Sequence, residues 1–179
     1  MPMPSTALPL LPSLLGDTDA TLVAHLADGA VDRGQLCRHI EALAQALPEA
    51  SSAINLCEDR YWFTVAWLAC IRRGMVTLLP NSNAPQHLAQ VQARHPGCLT
   101  LGDRSEPLMA DCHWVRVDTL AATSASTAVW AEVPTVPADL VVARFFTSGS
   151  TGEPKTCDKQ FGHLVASHQA ARQDRKSHV

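Results

Sequence analysis

The sequence predicts an α/β fold: a mainly parallel βαβαβ sheet flanked by helices. Three observations predict it. Apolar segments at 53–57, 75–79 and 98–101 have the length and composition of buried strands. Helix-length segments with start and stop signals lie between them. Strands and helices that alternate in this way imply right-handed βαβ crossovers and a mainly parallel sheet.

The elements follow in chain order. Residues 1–20, broken by prolines, read as a flexible lead-in. Thr21–Leu26 and Val31 flank Asp28-Gly29, a hairpin signal. Asp32 with Gln35 three residues later resembles a capping box, and Leu36, Ile40, Leu43 and Leu47 then recur on one helical face up to Pro48. After the strand at 53–57, Glu58 and Asp59 open an apolar helix that Arg72, Arg73 and Gly74 close, so charge complements the helix dipole at both ends. The strand at 75–79 leads to a helix begun by Asn83 and Pro85, with Leu88 and Val91 inward, ending near Gly97. Beyond the strand at 98–101 the pattern weakens. His113–Val117 suits a further strand, and residues 121–137, rich in Ala, Ser, Thr and Pro, read as a linker. Leu140–Phe146 is a strand, Thr156–Gln160 its returning hairpin partner, and His163–Gln173 a helix before a polar end. The organisation expected is a lead-in at 1–20, one domain at 21–168, and a polar tail at 169–179.

Composition bounds the function. The 179 residues are 46% hydrophobic and 17% charged, enough for one domain with a core and unlike a disordered chain. The net charge is −3 and the lysines are confined to 155, 159 and 176, so no basic stripe points to nucleic acid. The six cysteines form no C-x-x-C pair, and the proline-broken start is not a secretory signal. Reduced thiols and a cytoplasmic location are expected. The longest apolar run, Tyr61–Ile71, is too short to span a bilayer.

The chemistry is concentrated in residues 147–155, Thr-Ser-Gly-Ser-Thr-Gly-Glu-Pro-Lys, which follow directly on an apolar strand. Glycines let backbone N–H groups turn toward an anion, hydroxyls add short donors, and Lys155 adds a mobile positive charge. A Walker A loop is excluded, because Gly149 and Gly152 are three apart and Glu153-Pro154 precede Lys155. The dinucleotide fingerprint is absent. The hydrolase elbow fails because Ser148, not glycine, stands two residues before Ser150. The bland alternative is a Ser/Gly turn with no ligand, disfavoured by the length of the pattern.

This stretch resembles, position for position, the phosphate-binding loop T-S-G-S-T-G-x-P-K of the adenylate-forming (AMP-binding) enzymes, among them acyl-CoA synthetases and peptide-synthetase adenylation domains. The element order over 21–168 is similar to the start of such an enzyme. The resemblance implies that ATP, with Mg2+, activates a carboxylic acid as an acyl-adenylate. The thiol of coenzyme A or of a carrier protein then takes the acyl group. The leaving pyrophosphate carries the negative charge that a loop of N–H groups, hydroxyls and one ammonium would hold. Ser148, Gly149, Ser150, Thr151 and Gly152 are the expected contacts and Lys155 the charge contact. Thr147 completes the set by shaping the loop with Pro154, and Glu153 is expected in solvent.

A complete enzyme of this kind also needs a magnesium-binding acid, a ribose-binding aspartate and a C-terminal lysine, all downstream of the loop. The expectation is therefore an N-terminal portion with no complete catalytic set and no metal ligands of its own. A silent truncated product, or a nucleotide-binding module that works with a partner chain, remains open. The other suggestive residues have plainer readings. The eight histidines show no metal-binding spacing on a helix face. Trp62, Phe63 and Trp67 suit a helix core, and Cys157, near the loop, has no general base beside it.

Overall fold

The computed structural model describes residues 6–10, 22–27, 29–123, 134–147 and 155–176. The strands are β1 (Ala7–Pro9), β2 (Leu22–Leu26), β3 (Gly29–Asp32), β4 (Ser52–Asn55), β5 (Val76–Leu79), β6 (Leu99–Gly102), β7 (His113–Arg116), β8 (Thr135–Pro137), β9 (Val141–Thr147) and β10 (Lys155–Gln160). The helices are α1 (Arg33–Ala46), α2 (Arg60–Arg72), α3 (Pro85–Arg94), α4 (Val117–Thr123) and α5 (Phe161–Lys176).

The main sheet has six strands in the order β10-β9-β5-β4-β6-β7. The five from β9 to β7 are mutually parallel, and β10 runs antiparallel to β9. The expected α/β class and mainly parallel sheet are therefore observed. The central strands are buried along their whole length, as strands covered on both faces must be. Ala53, Leu99 and Leu101 join residues of α1, α2, α4 and α5 in the larger core. Ile54, Leu78 and Phe146 pack with Leu88 and Val91 of α3 in a second core. The sheet is thus sandwiched between helical layers.

Local chemistry sets the helix ends. Asp32 caps α1, its Oδ1 accepting from the Gln35 amide at 2.7 Å. Asp59 caps α2 by accepting from Tyr61 and Trp62. Asp103, just past β6, reaches across to the same helix start and accepts from the amides of Glu58 and Asp59 at 2.8–3.1 Å. Two carboxylates therefore serve one helix N-terminus, where the dipole favours negative charge. Gly74, with φ +68°, ends α2 in a backbone conformation that only glycine adopts without strain. At Gly102 a Cβ would run into the Trp114 ring of β7, so this close approach also requires glycine.

Several expectations are corrected. Asn83 does not cap α3: Ala84 holds that position without a side-chain bond, and Pro85 with its fixed φ begins the helix. Within the expected lead-in, Ala7–Pro9 forms a strand paired antiparallel with β8, and Leu10 is buried. The expected linker at 121–137 contains the end of α4 and all of β8. Helix α5 continues through Lys176, beyond the expected limit at Gln173 and into the expected tail. Among the described residues no helix is long and apolar enough to cross a membrane.

Candidate functional site

Strand β9 is the longest in the main sheet because Val141–Thr147 is dense in β-branched and aromatic residues. It lies between β5 and β10, and its carboxyl end delivers Thr147. The chain returns at Lys155, the first residue of β10, which pairs in register with Thr147. The Thr147 hydroxyl donates to the Lys155 carbonyl at 3.2 Å, closing the mouth of the hairpin. Ser148, Gly149, Ser150, Thr151 and Gly152 lie outside the described residues, as do Glu153 and Pro154. Of the expected set, the structure thus places Thr147 and Lys155, brings them face to face, and leaves Lys155 exposed.

The segment that follows the loop is a strand, so the first turn of α5 begins at the far end of β10. A phosphate held here would therefore rely on loop amides, hydroxyls and Lys155 rather than on a helix dipole.

The two faces of the hairpin differ. On one, Ala143, Phe145 and Lys159 line a groove of about 290 Å³ with Leu79, Phe63, Trp67 and Leu164. Phe145 is 41% exposed there. Trp67 is only partly buried and donates through Nε1 to the Val142 carbonyl at 3.1 Å. Trp62 and Trp67 therefore pack against the core from its margin instead of lying inside it.

On the other face, Arg144 and Asp158 stand directly opposite one another and form a two-pronged pair, Nε to Oδ1 at 2.6 Å and Nη2 to Oδ2 at 2.8 Å. Arg144 holds the Asp158 carboxyl below its ordinary value. Nearby, His95 meets the Phe146 ring edge-on at 6.0 Å. Burial holds His95 below the usual histidine value, helped by Arg144 and Arg94 and opposed by Asp158. Arg144 was visible in the sequence as a charge inside an apolar run, but its partner is defined only by the strand register.

Three further carboxylates are held in structural contacts: Asp103 accepts from backbone amides, Glu58 is paired with Arg104, and Asp118 with Arg116. No group of three or more His, Cys, Asp or Glu among the described residues is placed to hold a metal ion. The six cysteines, all among the described residues, form no disulfide. Burial pushes the Cys70 thiol up to about 12 and raises Cys57 as well, with help from Asp103, so neither is a ready nucleophile. Cys157 is exposed.

No family model and no curated protein matches the chain. Solved structures do. A double mutant of o-succinylbenzoate CoA synthetase (MenE) from Bacillus subtilis, bound to a product analogue, superposes with a TM-score of 0.69 at 23% identity. The match covers 94% of this chain and 37% of that one. The same enzyme in complex with ATP and magnesium gives a TM-score of 0.66 at 23% identity, over 94% and 48%.

The fold is that of the N-terminal part of an adenylate-forming enzyme.

The Klebsiella oxytoca NpsA N-terminal subdomain, in complex with 3-hydroxybenzoyl-AMSN, agrees with it at a TM-score of 0.61 and 21% identity, over 79% of this chain and 37% of that one. The chain thus spans less than half the length of these adenylate-forming structures.

Proposed function

We propose that this chain supplies the pyrophosphate grip of an ATP-dependent, acid-activating ligase of the adenylate-forming family. One observation carries the proposal. Thr147 and Lys155, the two ends of the stretch that matches the family's phosphate loop, face each other at the carboxyl end of a parallel strand, in the fold those enzymes share. Open α/β sheets bind ligands outside the carboxyl ends of their strands.

In the proposed reaction a carboxylate oxygen of the acid attacks the α-phosphorus of ATP. The bond from that phosphorus to the α–β bridging oxygen breaks, and pyrophosphate leaves with the electron pair. Ser148, Ser150 and Thr151 would donate hydroxyl hydrogen bonds to it, Gly149 and Gly152 would open their amides toward it, and Lys155 would carry the compensating charge. Thr147 would hold the loop's two ends together. A thiol acceptor, coenzyme A or a carrier protein, would take the acyl group in a second step. The rest of the machinery would come from beyond these residues or from a partner chain. Asp103, Glu58, Asp118 and Asp158 are committed to amides and arginines, so none of these four offers a free carboxylate to magnesium. The grip proposed here therefore uses only this chain's loop. A cytoplasmic location accords with this chemistry.

The test is titration of residues 1–179 with magnesium-ATP and with pyrophosphate, beside an assay of acid-dependent ATP–pyrophosphate exchange. Binding without exchange is expected. Failure to bind either ligand would remove the phosphate reading, and measurable exchange would show that the chain carries a complete catalytic set.

A further inference from the structure

We propose that the Arg144–Asp158 pair is a register lock that positions Lys155 at the phosphate site, an inference that rests on the phosphate reading above. Strand β10 is an edge strand of the main sheet and, among the described strands, is hydrogen-bonded to β9 alone. In most strands an apolar face fixes the register, because a slip of one residue would carry that face into solvent. Strand β10 lacks this control: Lys155, Thr156, Cys157, Asp158 and Lys159 are all exposed. The ladder itself does not supply it either, since the register shifts between Lys159 and Gln160 at the far end of the strand.

Arg144 and Asp158 fill that gap. They lie between the irregularity and the loop, and both carboxylate oxygens are engaged. A two-pronged arginine–carboxylate contact restricts both side chains to a narrow geometry. A slip of one residue would move Asp158 by about 3.4 Å and turn it to the opposite face. The same slip would turn Lys155 away from its present face. Fixing Asp158 opposite Arg144 therefore also fixes Lys155 opposite Thr147.

A purely electrostatic role makes a different prediction. Loss of Arg144 would then weaken anion binding and loss of Asp158 would strengthen it, whereas a lock is broken equally by either loss. The experiment titrates the whole chain with magnesium-ATP and follows amide hydrogen exchange in β10, for the native protein, Arg144→Ala, Asp158→Ala and the exchanged pair Arg144→Asp/Asp158→Arg. Both single variants should weaken ATP binding by roughly twofold to fivefold, the scale of a cross-strand ion pair. Both should speed β10 exchange, and the exchanged pair should recover both properties. Opposite effects of the two single variants on ATP binding would overturn the lock. Absence of ATP binding by the native chain would overturn the phosphate reading alone. The lock is then judged by β10 exchange, and unchanged rates in both single variants would overturn it.

Discussion

The hydroxyl of Thr147 donates to the carbonyl of Lys155, so the residue that enters the glycine-rich loop is tied to the residue that leaves it. Thr147→Val keeps the shape and removes the bond. An exposed neutral hydrogen bond contributes about 0.5–1.5 kcal/mol. The variant should lose no more than that in urea denaturation and should bind ATP several-fold more weakly, because the loop's two ends are no longer joined.

Lys155 carries the charge of the proposed grip. In a full-length adenylating context, Lys155→Ala should weaken ATP use by roughly 1.5–3 kcal/mol, the scale of a charge-assisted contact. Lys155→Arg should recover part of it. ATP–pyrophosphate exchange kinetics measure both, and unchanged kinetics in the alanine variant would remove Lys155 from the site.

Arg73, beyond the end of α2, donates through Nη1 to the carbonyls of Ala44 at 2.8 Å and Leu47 at 3.2 Å, at the C-terminal end of α1. One guanidinium thus satisfies the open end of a neighbouring helix. Arg73→Leu leaves those carbonyls without it and should cost about 1–3 kcal/mol by urea denaturation. Binding of ATP at saturation should be unaffected.

Acid should weaken the fold through two histidines. Burial, aided by Arg38, holds His39 below the ordinary value of 6.5, and His95 is lowered by burial, Arg144 and Arg94. Neutral imidazole is favoured in the fold, so the unfolded chain takes up protons first as pH falls. The stability these groups contribute is complete above the ordinary histidine value and is lost as pH drops through it. The urea midpoint should therefore fall between about pH 7 and pH 5. His39→Gln and His95→Gln should each flatten the curve, the double variant more than either.

What could be read from the sequence was governed by distance along the chain. The β2–β3 hairpin and the Asp32 cap depend on neighbours a few residues away, and both stand where the pattern put them. The alternation of strands and helices from 52 to 102 gave the parallel sheet for the same reason. Longer-range relations left no such trace. Pairing of β1 with β8 joins two short segments of unremarkable composition far apart in the chain. Neither the place of β9 beside β5, nor the reach of Asp103 to the start of α2, nor that of Arg73 to the end of α1, has a local signature. The glycine-rich stretch lies outside the described residues, and the structure adds the two strands that flank it. The cross-strand partner of Arg144 needed a register that composition alone does not set.

The position of β9 has a consequence for the order of assembly. Strands β4, β5 and β6 join through single helices, whereas β9 must return from residue 143 to lie against residue 77. Closing so long a span costs chain entropy that short crossovers avoid. During synthesis the βαβαβ centre can therefore form first, and the β9–β10 hairpin is added onto a finished scaffold.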